Sequence, residues 1–357
     1  MSTLTERPPA PEDQSRVELT GKTLPRLAPV YSAVVAIVVA LLLNVTTSVQ
    51  GVAGTVVLAA LLFVVAQTGW SFAVEGKRHA VDRLATTLIY ATFVAAFAAL
   101  VAILTVTVLK GLAALSPEFF TDTMRNVSPR REGGGIAHAL VGTLEQVLIA
   151  AVIAVPIGIL TAVYLVEYAA ANRLSKAISF FVDVMTGIPS IIAGLFIYTF
   201  WVLTLGFERS GFAASLALTI LMIPTVVRTT EEMLRIVPND LREASLALGI
   251  PKWKTIIKIV IPTALGGIIT GVMLAVARVA GETAPLLLTT FLSQSMNWNP
   301  FVGPQASLPT FVWDQIASGT DASLDRAWAG ALVLILLVMI LYLGARIVAR
   351  IFAPKTS

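Results

Sequence analysis

The sequence predicts an all-α protein, a polytopic bundle of helices embedded in a membrane. Of its 357 residues, 57% are hydrophobic and only 13% are charged, against roughly one quarter charged in soluble proteins. Apolar runs with almost no charge recur along the chain, and about 20 such residues cross the hydrocarbon core of a membrane as a helix. Lys and Arg gather in alternate segments between these runs, as the positive-inside rule requires.

Eight apolar runs predict eight membrane spans. They lie at residues 30–49, 52–73, 84–109, 138–167, 179–205, 212–228, 263–291 and 328–351. The sixth is short and has Pro224 near its end, which a membrane helix tolerates when neighbours satisfy the freed carbonyl. The loop from Phe291 to Asp325 contains no Lys or Arg, so we expect it outside and both termini in the cytoplasm.

The same pattern divides the chain into parts. Residues 1–29 are polar and predict a cytoplasmic N-terminal tail, because no small-residue cleavage site follows them. Residues 30–80 hold an accessory pair of spans with no ionisable residue at membrane depth. Residues 81–352 form the main membrane domain, with a cytoplasmic loop at 229–262, and residues 353–357 form a C-terminal tail.

Composition also excludes several classes of site. With no Cys and two His, disulfides and thiolate metal centres are ruled out, and we expect no metal or cofactor in this chain. Its basic residues are scattered between spans instead of lining one face, so nucleic acid is not an expected partner. A membrane-embedded enzyme would need His, Asp or Ser side chains converging at membrane depth, and the sequence shows no such cluster.

The loop at 229–262 alternates apolar and charged residues at helical spacing. Leu241, Ala244 and Leu248 belong to its apolar set, Gly249 is placed to end this helix, and Pro251 is placed to begin a second. The pattern predicts a helix, a tight turn and a helix at the inner membrane surface. It is also compatible with a helix that lies on anionic lipid.

One motif in this loop resembles a family signature. Glu243-Ala244-Ser245, three residues, Gly249, nine residues and Ile259-Val260-Ile261-Pro262 resemble the EAA motif of ABC importer permeases, E-A-A-x3-G-x9-I-x-L-P. The sequence departs from it at Ser245 and Ile261. The resemblance implies that Glu243, Ala244, Ser245, Gly249 and Pro262 couple the chain to a separate ATPase subunit, which binds ATP and Mg.

Three further segments narrow the family. They are 133–144, 187–195 and 278–287, the last reading Arg278-Val279-Ala280-Gly281-Glu282-Thr283-Ala284-Pro285-Leu286-Leu287. Together they resemble the PstA type of phosphate ABC importer permease, a MetI-like family, over roughly residues 81–352. The family has six spans, so the N-terminal pair departs from it.

That resemblance implies a set of partners in the bacterial plasma membrane. They are a second homologous permease of the PstC type, two ATPase subunits, an extracytoplasmic phosphate-binding protein, inorganic phosphate and membrane lipid. Two alternatives stay open. A sulfate or molybdate importer would share the coupling loop, and a membrane scaffold would have no transport role.

Arg278 is the strongest candidate for contact with an anion. A charge at the centre of a span is unfavourable by about 2.5–3.5 kcal/mol on insertion scales, and Glu282 four residues on predicts an ion pair along one helix face. The pair either neutralises itself, or Arg278 presents its planar donors to phosphate while Glu282 holds it. Thr283 follows directly in the predicted substrate path.

Four more residues complete the predicted site. Thr143 and Glu145, near the outer end of the fourth span, are candidates for the path entrance or for a subunit contact. Pro156 and Pro189 would free backbone carbonyls inside spans, which suits gating bends but also occurs in static helices.

Overall fold

The protein is helical throughout the residues that the structure describes, 23–46, 51–169 and 172–352. The structure is a computed structural model, and those residues contain no β-strand. The predicted all-α class is confirmed. Most of the predicted N-terminal tail, residues 1–22, and the whole C-terminal tail, residues 353–357, lie outside the described residues.

The chain divides into two compact units between Ile103 and Leu104. The first unit contains α1 (Ala28–Thr46), α2 (Val52–Glu75) and the first part of α3 (Lys77–Ala114). The predicted boundary at residue 80 falls inside this unit, so the extent of the accessory pair stays a prediction.

Polar side chains hold the first unit together among otherwise apolar helices. The Ser32 hydroxyl on α1 donates to Gln67 Oε1 on α2 at 2.7 Å, with both side chains buried. Glu75, at the end of α2, accepts two hydrogen bonds from the Arg83 guanidinium at 2.6 and 2.7 Å. A charge-assisted bidentate pair of this kind fixes the geometry of the turn between α2 and α3.

Four long helices form the core of the second unit. They are α5 (Ala137–Val163), α8 (Gly211–Ile236), α11 (Ile261–Ala280) and α14 (Asp321–Phe352). α8 lies between α5 and α11, and α11 also contacts α14. Leu218, Met222 and Val226 of α8 are almost completely buried. A Cβ at Gly158 would lie 2.6 Å from Val226 Cγ1, so glycine permits the close approach of α5 to α8.

Short elements and loops pack at the end of this core where α5 begins. They include α4 (Pro117–Thr121) and α13 (Leu308–Ser318). The buried Arg326 donates to Gln315 Oε1 at 2.8 Å and to the carbonyls of Pro129, Arg131 and Gly133 at 2.8–3.2 Å. One guanidinium therefore fixes the loop that leads into α5.

The predicted span at 179–205 is broken into two helices in the structure. It corresponds to α6 (Arg173–Gly187) and α7 (Ser190–Ile197), and α7 continues as a π-helical turn over Tyr198–Thr204. The two parts are bent by 107°. Pro189 causes the break, because proline lacks an amide hydrogen and disfavours helical backbone at the preceding residue. Ile188 is accordingly extended, with φ −72° and ψ 127°.

Six helices of the described chain are long and apolar enough to span a membrane. They are Gly54–Glu75, Lys77–Ala114, Ala137–Tyr168, Gly211–Ile236, Lys252–Ala280 and Asp321–Gly344, and the bent pair would make a seventh. The first predicted span, 30–49, corresponds to α1, whose described apolar part, Ala28–Asn44, is shorter.

The boundaries of two other predicted spans also change. The sixth continues beyond residue 228 to Ile236. The seventh ends at Ala280 instead of residue 291, and a separate short helix, α12 (Ala284–Thr289), follows it.

Candidate coupling segment and substrate path

The segment after α8 contains the tight turn that its sequence predicts. α9 (Asn239–Ala247) is capped by Leu248 and followed by Gly249, whose φ of 72° lies in the left-handed region. Gly249 N–H donates to the Leu246 carbonyl at 2.9 Å, and Ile250 N–H donates to the Ser245 carbonyl at 3.2 Å. These two bonds form a Schellman cap, which favours glycine at the left-handed position.

The helices around this turn differ from the prediction. The first helix is interrupted, because α8 ends at Ile236 and Pro238 starts α9 as a separate helix. The second helix continues beyond the loop at 229–262. α10 (Lys252–Thr255), a π-helical turn over Ile256–Val260 and α11 form one continuous helix. Pro262 lies in the first turn of α11, directly after the π-helical turn.

The EAA-like residues divide between surface and interior. Glu243 and Ala244 on α9 are exposed, whereas Ser245 is buried and its hydroxyl lies 2.8 Å from Thr255 Oγ1 on α10. Apolar side chains are exposed around the same turn. Leu248 is 80% exposed and Trp253 is 57% exposed. The turn thus presents an amphipathic surface while Ser245 ties α9 to α10.

A buried ion pair anchors α9 from its other side. Arg242 Nε and Nη2 donate to Glu167 Oε1 at 3.0 and 2.8 Å. Glu167 is 8% exposed and belongs to a π-helical turn, Tyr164–Tyr168, that continues α5. Arg242 also donates to the carbonyls of Leu234 and Val237 at 2.8 and 2.6 Å. Sequence reasoning missed Glu167, because its partner lies 75 residues away.

A second set of ion pairs joins α6 to α8. Arg228 donates to Asp183 Oδ1 at 2.5 Å and to Glu231 Oε2 at 2.6 Å. Arg235 pairs with the other oxygen of Glu231 at 2.5 Å. Asp183 is largely exposed, with 66% of its side chain accessible.

The structure places Arg278 in the last turn of α11 and leaves its side chain exposed. The predicted ion pair with Glu282 is wrong, because the helix ends at Ala280 and Glu282 lies beyond it. No ion pair or side-chain hydrogen bond of Arg278 occurs within the described parts of the chain. Its five N–H donors therefore have no partner within the described residues.

Thr283 lies between α11 and α12, close in sequence to Arg278. It immediately precedes α12, and its carbonyl accepts from the amides of Leu286 and Leu287, each at 3.2 Å. Its side chain is half-buried. A helix junction directly after Arg278 separates Glu282 and Thr283 from the face of α11.

Thr143 and Glu145 are occupied by contacts inside the protein. Thr143 Oγ1 is buried, donates to the Ala139 carbonyl at 2.8 Å and accepts from the Leu308 amide at 2.7 Å. The half-buried Glu145 accepts from Gln305 Nε2 at 2.5 Å. The structure thus joins both residues to the segment before α13, and Glu145 has no recorded bond to Arg278.

Gln305 is a polar hub that sequence reasoning missed. Its side chain also accepts from Gln146 Nε2 at 3.0 Å, and its backbone carbonyl accepts from Thr290 Oγ1 at 2.7 Å. It is 1% exposed. Because its partners on α5 lie about 160 residues away, no local pattern points to it.

Thr143 and α11 line the same cavity, but no polar contact joins Thr143 to α11 in the described residues. A cavity of about 280 Å³ between α5, α11 and α14 is lined by Thr143, Val276 and Ala280 among ten residues, and nearly all of its wall is apolar. Such a cavity is unsuited to a phosphate ion.

The two predicted gating prolines occupy different settings. Pro156 lies inside α5, and Pro189 lies at the bend between α6 and α7. Near that bend α7 packs closely against α12, since a Cβ at Gly194 would lie 2.5 Å from Pro285 Cα. No group of three or more potential metal ligands occurs in the described residues.

Comparisons with known proteins agree on one family. The profile described as "Binding-protein-dependent transport system inner membrane component" matches residues 154–357. "Phosphate transport system permease protein PstA 1" of Mycobacterium tuberculosis is 47% identical over 76% of this chain and 90% of the relative. A PstA of Yersinia pestis is 40% identical over 79% of this chain and 93% of that protein.

Two solved structures show a similar fold. The MetNI methionine ABC transporter in an inward-facing conformation matches with a TM-score of 0.52 at 22% identity, over 67% of this chain and all of the matched chain. A bacterial alginate ABC transporter matches with a TM-score of 0.53 at 15% identity, over 74% of this chain and 93% of its own.

Proposed function

We propose that this chain, which belongs to the family of binding-protein-dependent transport system inner membrane components, is a permease subunit of an ATP-driven phosphate importer. The observation that carries the proposal is its identity of 40–48% with permeases named for phosphate transport, over most of their length. The all-helical membrane fold supports it.

The substrate contact that we propose is Arg278. Its guanidinium is exposed and has no partner within the described chain, whereas a charge near membrane depth normally requires one. A phosphate ion supplies that partner, because its oxygens accept two parallel hydrogen bonds from the planar guanidinium. Glu282 and Thr283 line the path beyond Arg278, at the junction before α12. Thr143 and Glu145 support the wall of the path from α5.

The coupling site that we propose is the turn around Gly249. Glu243, Ala244 and the exposed Leu248 form the surface that docks into a separate ATPase subunit. Ser245 holds α9 against α10, and Pro262 lies where α10 and the π-helical turn lead into α11. When the ATPase displaces α9, the movement is therefore transmitted through α10 to α11.

The assembly that we propose is that of an ABC importer. A homologous second permease of the PstC type supplies the other half of the path, two ATPase subunits bind ATP and Mg, and an extracytoplasmic phosphate-binding protein delivers the substrate. The chain is a multi-pass protein of the bacterial plasma membrane with both termini in the cytoplasm. ATP binding closes the ATPase dimer, and the helices rock to open the path alternately to each side, with bends at Pro156 and Pro189.

Phosphate uptake by the co-expressed importer tests this function. We expect ATP-dependent accumulation of labelled phosphate when the chain is co-expressed with its second permease, ATPase and binding protein, and we expect excess sulfate to leave it unchanged. Inhibition by sulfate would identify a different anion importer. Absence of uptake by an intact assembly would favour the scaffold alternative.

A further inference from the structure

The Arg242 guanidinium joins three helical elements at one point. It lies on α9, pairs with Glu167 in the π-helical turn that continues α5, and donates to the carbonyls of Leu234 in α8 and of Val237 directly after it. All three nitrogens of the guanidinium donate. No other side chain of the described residues connects α9 to α5 by a recorded ion pair.

The ion pair between Arg242 and Glu167 is buried. The Arg242 side chain is 16% exposed and the Glu167 side chain is 6% exposed. A buried ion pair is weak support for stability as such, but removal of one partner leaves an uncompensated buried charge and is strongly destabilising. Removal of both partners avoids that penalty, which allows stability and mechanical connection to be separated by experiment.

α5 is suited to carry movement away from this pair. From Glu167 to Thr143 it extends over about 36 Å at 1.5 Å per residue. At the far end Thr143 is bonded to the Leu308 amide, and Glu145 and Gln146 are bonded to Gln305. Unless α5 bends at Pro156, a shift of the Glu167 end therefore moves the segment around Gln305 or breaks these bonds.

We propose that Arg242 and Glu167 are positioning residues that transmit movement of α9 to α5 during the ATP cycle. This inference rests on the proposed docking of α9 to an ATPase, and it adds a second route to the one through Ser245 and Thr255. The route through Ser245 reaches α11 and Arg278, whereas the route through Arg242 reaches the opposite end of α5. Together the two routes would move α5 and α11, two of the three helices that border the cavity next to Thr143.

The test measures movement of α5 directly and does not depend on the substrate. The chain contains no Cys, so Leu144→Cys introduces a single thiol on α5 at a position that is 43% exposed. In the complete importer in proteoliposomes, the rate of labelling by a membrane-impermeant thiol reagent is measured with and without ATP. The second permease, ATPase and binding protein are used in cysteine-free form.

Three backgrounds are compared: wild type, Glu167→Gln with Arg242→Gln, and Asp183→Asn as matched control. Asp183→Asn also removes an ion pair between helices, but this pair is largely exposed and does not involve α9. We expect ATP to change the labelling rate in the wild-type and control backgrounds. In the double variant the ATP-dependent change should fall at least about fivefold, the lower range for coupling between sites.

Assembly is followed in parallel through co-purification with the ATPase. Each single variant should assemble less well than the double variant, since only the single variants retain an unpaired buried charge. Arg242→Lys provides a second variant, because it keeps the positive charge but cannot donate in the planar pattern that reaches three elements. It should assemble normally and show a reduced response to ATP.

Each outcome decides the proposal. A wild-type response to ATP in the double variant and in Arg242→Lys would overturn it, as would a wild-type importer whose labelling rate is the same with and without ATP. If the importer responds to ATP but carries sulfate instead of phosphate, the proposed substrate fails while the positioning role still stands. The two failures are therefore distinguishable.

Discussion

Two arginines in different regions of the protein, Arg242 on α9 and Arg278 at the end of α11, lie in opposite environments. Near α10, the guanidinium of Arg242 on α9 is buried, and all of its nitrogens donate to protein oxygens. At the far end, Arg278 is exposed and has no recorded partner in the described chain. Saturated donors fix the positions of helices, whereas free donors are available to a ligand.

Arg326 provides a second example of the saturated kind. It is 5% exposed and donates to Gln315 and to three backbone carbonyls. Its environment is that of a structural residue although its charge equals that of Arg278. Burial and bonding, more than residue type, therefore separate a structural arginine from a candidate substrate contact.

The largest expected effect follows from removal of the free charge. Arg278→Gln should reduce phosphate uptake by at least about tenfold, because a hydrogen bond to a charged group contributes about 1.5–3 kcal/mol. The melting temperature of the purified assembly should not change, since Arg278 bonds to no described side chain. Uptake and thermal unfolding of the same preparation check both expectations.

Arg278→Lys serves as the control for this variant. Its uptake should fall between that of the wild type and that of the neutral variant, because lysine keeps the charge without the planar fork of donors. Equal uptake by all three proteins would remove Arg278 from the substrate path. A large fall in melting temperature would instead show that it stabilises the assembly.

The next effect concerns the turn of the coupling segment. Gly249→Ala should reduce co-purification with the ATPase several-fold, because a left-handed residue with a side chain is disfavoured by about 1–2 kcal/mol and α9 would reorient. Gly319→Ala is the matched control: its φ of 66° is similar to the 72° of Gly249, and neither Cβ would meet an atom within 4 Å. Equal binding by both variants would exclude the turn as the docking site.

A smaller effect is expected in stability alone. Gly142→Ala places a Cβ against the carbonyl oxygen of Ala306 and should destabilise the assembly by about 1–3 kcal/mol through overpacking. Gly266→Ala on α11 meets nothing within 4 Å and should not. Thermal unfolding of the two variants in detergent compares their stability. Equal stability would mean that the segment before α13 shifts at little energetic cost to accommodate the added Cβ.

The smallest effect is expected at Glu145. Glu145→Gln retains an oxygen that accepts from Gln305 Nε2. The uptake rate should therefore stay within about twofold of that of the wild type, and the melting temperature should be nearly the same. A strong fall in uptake with unchanged stability would show that the negative charge of Glu145 acts in the path. That result would weaken the contrast between bonded and free charges.

Long spans could be predicted from the sequence because an apolar run in lipid has to satisfy its backbone internally, which leaves a helix as the solution for a single segment. The turn at Gly249 was also predictable, since glycine favours the left-handed C-cap. Both are local properties of a few consecutive residues.

Other features depend on partners that are distant in sequence. The bonds of Gln305 join it to residues of α5 about 160 positions away. The buried pair of Arg242 and Glu167 likewise joins residues 75 positions apart. Periodicity within one helix contains no information about such pairs. The predicted pairing of Arg278 with Glu282 failed for a different reason, because α11 ends at Ala280.

The role of Arg278 is tested most directly by restoring its charge chemically. In this cysteine-free chain, Arg278→Cys is treated with a thiol reagent that adds a cationic aminoethyl group or with one that adds a neutral methyl group, and labelled phosphate uptake is measured. We predict that the untreated and methylated proteins lack uptake and that the cationic group restores part of it. Wild-type uptake before treatment, or equal restoration by the neutral group, would contradict the account.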